Sequence, residues 1–288
     1  MKIITDSAAD LSVEEADELG ITVAPLYIQF PEGEINSKDL TPDEFYNRLQ
    51  GMAPKIPTTA QPSAGIFADL YRKLTETGEK VLSIHISSGL SGTIQSARLG
   101  AKELLNADIT IFDSMTLSGA ERFQVLAASL AAKAGWAKDS ILERLERIRE
   151  STEVIYTLET LEYLAHGGRI GRVQALTGAL LKIKPVIRVD REDGKYSTVG
   201  KARTLKSTMT MMVDHLTAMY GSIEPLWVSV MHGQLSERAE EFSRLLSEKL
   251  NIANLEILRI SPILGVHTGP GIVGATVTPM RLMEGFSQ

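Results

Sequence analysis

The chain has 288 residues, 43% of them hydrophobic and 23% charged, with a formal net charge of −6 and no cysteine. These proportions suit a globular protein with room for two domains, and they exclude disulfides, thiol nucleophiles and thiolate-bound metals. An acidic chain without a Lys/Arg cluster also lacks the footprint that nucleic acid or an anionic membrane surface demands. No segment approaches the ~18 apolar residues of a membrane span.

The start, Met1-Lys2-Ile3-Ile4-Thr5-Asp6-Ser7, carries too short an apolar run for a signal peptide, so the expected compartment is the cytoplasm. Apolar runs at 2–5, 21–30, 80–86 and 108–112 read as strands. Helical patterns at 42–51, 63–77, 91–106 and 117–134 lie between or after them. Such alternation predicts a mostly parallel sheet flanked by helices, with ligands at the carboxyl ends of its strands. A charged helix at 138–150 follows, with Ile141, Leu142, Leu145 and Ile148 as its apolar stripe. Beyond it, helical patterns at 158–166, 171–182, 204–220 and 235–250 alternate with strand-like runs at 185–190, 195–200, 226–231, 254–260 and 272–279. The turn Arg191-Glu192-Asp193-Gly194 predicts a hairpin, so the second half is α+β. The expected division is 1–155 and 156–288.

The richest segment is Ile86-Ser87-Ser88-Gly89-Leu90-Ser91-Gly92-Thr93, between a strand and a helix. Glycines permit close backbone approach, and the following helix offers free N–H groups, so carboxylate or phosphate binding and plain N-capping fit equally well. Pro57-Thr58-Thr59-Ala60-Gln61-Pro62-Ser63 is a restricted loop with hydroxyls. Asp6-Ser7 and Asp113-Ser114 each follow a strand and would share the edge of the Ser91 loop, with capping the commoner role. In His166-Gly167-Gly168-Arg169-Ile170-Gly171 the glycines would let the Arg169 fork approach an anion, and a plain Gly-rich helix end fits equally well. Lys201-Ala202-Arg203-Thr204-Leu205-Lys206 places basic residues at a helix start, where a solvated face or a partner contact is expected. His267, in Val266-His267-Thr268-Gly269-Pro270-Gly271, reads as a loop histidine able to bond an anion and to titrate near neutral pH, although a lone loop histidine more commonly has no role.

Ser91, Asp113 and His232 or His267 occur in the chain order of an α/β-hydrolase triad, which makes a serine lipase or esterase the alternative reading. The spacing of the G-x-S-x-G elbow is missing, however, as are H-E-x-x-H and the nucleotide P-loop motif.

Taken in order, Thr5-Asp6-Ser7, the Pro57–Ser63 and Ser87–Thr93 segments, Asp113-Ser114, Leu161-Glu162-Tyr163-Leu164 with Gly167-Gly168-Arg169-Ile170-Gly171, Leu181-Lys182-Ile183-Lys184-Pro185, Ala202-Arg203-Thr204 and His267-Thr268-Gly269-Pro270-Gly271 resemble the DegV family. The series spans nearly the whole chain. The resemblance implies two α/β domains holding a long-chain fatty acid, with no catalytic residue, metal or cofactor of the protein's own. It implies that Thr59, Ser91 and the backbone near Gly92 meet the carboxylate, and that Arg169 and His267 lie where a phosphate would be received. It further implies a separate ATP-dependent fatty acid kinase, docked near Arg203, and an acyltransferase of phospholipid synthesis that takes the acyl-phosphate. Two positions depart from the family pattern. Ala60 stands where Ser is more usual, and Glu121-Arg122 replaces a small, Gly-rich continuation.

Overall fold

A computed structural model describes residues 1–176 and 183–286. The first half runs β1 Lys2–Asp6, α1 Val13–Leu19, β2 Ile21–Ala24, β3 Tyr27–Phe30, β4 Gly33–Asn36, α2 Pro42–Gly51, β5 Thr58–Ala60, α3 Ala64–Thr75, β6 Val81–His85, α4 Thr93–Ala101, β7 Ile109–Asp113, α5 Ser118–Lys133 and α6 Lys138–Ser151. The second runs β8 Glu153–Leu158, α7 Glu162–His166, β9 Lys184–Val189, β10 Tyr196–Ala202, α8 Leu205–Tyr220, β11 Leu226–His232, α9 Ser236–Ser247, β12 Ile252–Arg259, α10 Pro262–Thr268 and β13 Ile272–Pro279. Local chemistry explains the helix starts. Ser12 with Glu15 and Thr41 with Glu44 form capping boxes for α1 and α2, while Ser63 and Thr204 cap α3 and α8.

Among the described residues the strands form three sheets. The first, in the order β2-β1-β6-β7, is wholly parallel and flanked by helices, as the alternation predicts. The second, β10-β9-β8-β13-β11-β12, is antiparallel except for β11 beside β12. Its β9–β10 hairpin turns at the expected Arg191–Gly194 segment. A small antiparallel sheet, β4-β3-β5, completes the set.

Several expectations need correction. The run at 21–30 is two strands in two different sheets, because Pro25 can donate no ladder hydrogen bond between them. The strand β8 occupies the start of the expected 158–166 helix and the residues before it; the helix itself spans only Glu162–His166. His267 lies in the last turn of helix α10 and not in a loop. The expected helix at 171–182 is described as a 3-10 helix over Gly171–Leu176. Its remainder, with Leu181-Lys182 of the family series, lies outside the described residues.

Helix α5 joins the two large sheets. It touches β1 and β6 on one side and β13 on the other, and thirteen of its residues are buried. Helices buried all round are normally apolar, so Glu121 and Arg122 require partners. Arg122, 3% exposed, binds Glu15 of α1 and Glu256 of β12 and so ties the first sheet's helices to the second sheet. Glu121 accepts a hydrogen bond from Thr5 Oγ1 at 3.1 Å. Burial and the neighbouring Asp6 hold its carboxyl well above the usual range.

Candidate functional site

The carboxyl edge of the first sheet gathers the ends of β1, β6 and β7. The Asp-Ser pairs there organise backbone. Asp6 accepts hydrogen bonds from the N–H groups of Ala8 at 2.9 Å and Ile86 at 3.1 Å, and Asp113 from those of Met115 at 2.9 Å and Ser88 at 3.3 Å. Behind Asp6, His85 Nδ1 lies 3.0 Å from its carboxylate and His85 Nε2 lies 2.6 Å from Ser83 Oγ. This serine–histidine–aspartate line has the connectivity of a hydrolytic triad, yet Ser83 and His85 are 0% exposed and Asp6 1%. It is a satisfied polar chain inside the core.

The Ser91 loop leaves this edge toward the second half. Ser91 Oγ lies 2.8 Å from Thr93 Oγ1 and accepts from the Thr93 N–H at 3.3 Å, just before α4. The glycines here make room for protein groups. A Cβ at Gly89 would stand 2.5 Å from the Asp193 carbonyl oxygen in the β9–β10 turn, and one at Gly92 would stand 2.5 Å from Gln61 Oε1. Ser87 Oγ donates to the Gly194 carbonyl at 2.8 Å, fastening the loop to that turn.

Thr59 is carried in by β5, whose pairing with β3 sets Thr59 opposite Ile28. Helix α10 packs on this small sheet and brings His267 Nε2 to 2.8 Å from Thr59 Oγ1. The ring's other nitrogen, Nδ1, is buried and unpartnered. Burial, reinforced by the charges of Arg169 and His166, pushes His267 down to about 4. The imidazole is therefore neutral at physiological pH, which corrects the expectation that it titrates near neutrality. Gly167 is what admits the ring, since a Cβ there would lie 2.1 Å from Nδ1. Arg169 is half-buried and donates to the Gly167 carbonyl at 2.7 Å. No carboxylate among the described residues forms an ion pair with it.

These groups line a run of three cavities. A mouth of about 360 Å³ is bordered by Ser88, Ser91, Gly92, Arg169, Arg172 and Lys195. A smaller space of about 40 Å³ brings together Thr59, Ala60, Ser91, Arg169 and His267. An inner cavity of about 30 Å³ is mainly apolar, with Leu117, Val154, Met231, Ile260, Leu264 and Ile272 in its wall. Tyr196 borders all three, and Leu264 and His267 border the inner two. The arrangement suits an amphiphile: neutral hydroxyls and one cation at a polar waist, with apolar walls behind.

Comparison with known proteins bears on the whole chain. The DegV family model, described as an uncharacterised protein family, matches residues 1–280. This chain belongs to the DegV family. A DegV domain-containing protein of Deinococcus radiodurans is 34% identical over 277 residues, covering 96% of this chain and 95% of its own. A second, from Clostridium perfringens, is 35% identical over 281 residues, covering 96% of this chain and 97% of its own. Among solved structures, a DegV family protein of Thermus thermophilus described as fatty acid binding is 31% identical with a TM-score of 0.89, over 96% of this chain and 99% of its own. DegV of Bacillus subtilis, described as a fatty acid binding protein, is 27% identical with a TM-score of 0.87, over 96% of this chain and 98% of its own.

Within this DegV fold, the residues singled out from sequence divide in two. Thr59, Ser91, Arg169 and His267 converge on the waist, with Gly92 at its outer rim. Arg203 does not join them. It is exposed at the far end of β10 from Tyr196, and seven strand residues at about 3.3 Å each put it on the order of 20 Å away. Sequence reading overlooked Tyr196 and Gln61. Tyr196 begins a strand after an ordinary turn, and Gln61 sits beside the hydroxyls that drew attention. Of the two departures, Ala60 lines the waist, whereas Glu121 and Arg122 act in the contact between the sheets.

Proposed function

We propose that the protein binds a long-chain fatty acid, with the carboxylate at the waist and the acyl chain in the inner cavity. The convergence of Thr59, Ser91, Arg169 and His267 on one small space between an apolar interior and a basic mouth carries this reading. A neutral His267 can donate from Nε2 to Thr59 Oγ1, which turns the Thr59 proton toward the ligand. Buried acyl carbons contribute ~0.8 kcal/mol per CH₂, on the order of 10 kcal/mol for a long chain. A buried carboxylate needs donors, and hydroxyls serve its charged and protonated forms alike. The inner spaces are small as they stand, so the chain enters as their walls move apart; the pliant Met231 is suited to that. The descriptions of the Thermus and Bacillus relatives as fatty acid binding support the same reading.

In this reading residues 1–155 contribute Thr59, Ser91 and Gly92, and 156–288 contribute Arg169 and His267. The protein works in the cytoplasm and presents the carboxylate to a separate ATP-dependent fatty acid kinase. It then carries the acyl-phosphate to an acyltransferase of phospholipid synthesis. Arg169 and Lys195 at the mouth suit the added phosphate, while Arg172 is paired with Asp193, and exposed Arg203 is the docking residue. The esterase alternative is disfavoured by geometry, because Ser91 pairs with Thr93 while the imidazole of the site stands at Thr59.

Native mass spectrometry of protein purified from a bacterial host tests the binding. A co-purifying species of fatty-acid mass is expected, and a bare mass with no uptake of added fatty acid contradicts it. With a kinase supplied, Arg203→Ala should raise the kinase concentration needed for half-maximal rate, and an unchanged requirement removes its docking role.

A further inference from the structure

One wall of the apolar cavity is shared with a second pocket. Ser118 borders the cavity, and its hydroxyl donates to Asp10 Oδ2 at 2.5 Å. Asp10 Oδ1 accepts from the Ser261 N–H at 3.0 Å. On the other side of this wall lies a separate groove of about 570 Å³, and both Asp10 and Ser261 line it. Chain neighbours thus face opposite ways, with Ile260 toward the cavity and Ser261 toward the groove.

Backbone conformation marks the same place. Asp10 has φ 52° and Ser118 φ 57°, both in the left-handed region, and Met115 at φ 56° lies three residues before Ser118. They are the described non-glycine residues with positive φ. A side chain held there is strained unless its surroundings over-determine it. Here the hydrogen-bonded wall supplies that constraint, and Ser118 Oγ also approaches Met231 Sδ at 3.0 Å.

We propose that Asp10 and Ser118 form the floor that sets the longest acyl chain the cavity accepts. The inference rests on the fatty-acid reading and extends it. The headgroup is fixed at the waist, so each added methylene advances the terminal methyl toward Ser118. A chain that reaches the floor must break the Ser118–Asp10 hydrogen bond and pass beside a carboxyl group into a polar groove. Further methylenes then gain no apolar burial.

The test is a competition series on delipidated protein with saturated fatty acids that lengthen two carbons at a time. For the wild type, affinity should climb about fourfold per added methylene, then turn over at one length. Asp10→Gly and Ser118→Gly breach the wall at positions whose backbone already suits glycine, so both variants should fold. Each should move the turnover to longer acids while leaving the shorter ones bound. Asp10→Asn, which keeps the shape and a hydrogen bond, should move it less. A turnover unmoved in both folded glycine variants overturns the floor alone. A wild type that binds none of the acids overturns the fatty-acid reading and this inference with it.

Discussion

Arg122 and Arg169 carry the same guanidinium into two opposite settings. Arg122 is 3% exposed and pairs with two carboxylates, Glu15 and Glu256, from elements on either side of it. Glu256 in turn accepts from Trp227 Nε1 at 2.9 Å and from Ser229 Oγ, so the cluster is bonded throughout. Arg169 is half-buried beside a cavity, with a backbone carbonyl for company and no acid paired with it among the described residues. The first charge is neutralised within the fold and holds it together. The second is left for something outside the fold, and its unneutralised field helps keep His267 neutral. The distinction separates a structural charge from a binding one without reference to sequence position.

The largest expected effect breaks the first setting. Arg122→Met should lower stability by about 3 kcal/mol, because two partly exposed carboxylates lose the buried guanidinium that pairs with both. Denaturant unfolding measures this, and a loss below about 1 kcal/mol would mean that water already screens the cluster.

Next comes His267. Its folded value of about 4 lies below the ordinary 6.5, so between those values the unfolded chain takes up a proton that the fold refuses. Stability is therefore full above pH 6.5 and is lost as the pH falls toward 4, on the order of 3 kcal/mol in all. Asp10 works in the opposite sense. Burial raises it from 3.8 to about 6, so its contribution declines as the pH rises through that interval. Unfolding curves across this range should show a shallower loss on acidification for His267→Gln than for the wild type. Equal slopes would contradict the burial of a neutral ring.

The smallest effects on stability belong to Arg169. Arg169→Ala should change stability by under about 1 kcal/mol, since a half-buried cation without a paired acid contributes little to the fold. It should weaken binding of a long-chain alkyl phosphonate by about tenfold or more and of the matching carboxylate by less, because the doubly charged head relies more on the cation. Thr59→Ala and Ser91→Ala should each weaken the carboxylate by about fivefold, roughly one neutral hydrogen bond. Isothermal titration with the two amphiphiles separates these cases. Equal losses for both heads would remove the phosphate-receiving role from Arg169.

The alternation of strands and helices in the first half was legible because parallel strands are continuous apolar runs ending in small polar residues. The strand β8 was not, although it is buried throughout. It follows the charged helix α6 through Thr152, with no glycine or proline to announce a change. The small sheet was hidden for a different reason: β5 has three residues, and Gly33–Asn36 has no apolar alternation. Helix α10 is only seven residues long and contains Gly265, too little for a helical period to register. That loss mattered most, since α10 is what carries His267 to Thr59. The residues of the waist were therefore visible as types and as a family series, while their meeting depends on elements the sequence conceals. The glycines were legible as points of close backbone approach, but which protein groups they admit was not. Gly89, Gly92 and Gly167 make room for the β9–β10 turn, Gln61 and His267.

The most direct test of the account follows the headgroup itself, using a fatty acid labelled with ¹³C at its carboxyl carbon and bound to the protein in solution. The account predicts one resolved bound carboxyl resonance that moves in Thr59→Ala, Ser91→Ala and Arg169→Ala, and stays in place in Arg203→Ala. A carboxyl resonance that titrates like the free acid in water, and ignores the three waist substitutions, would contradict it.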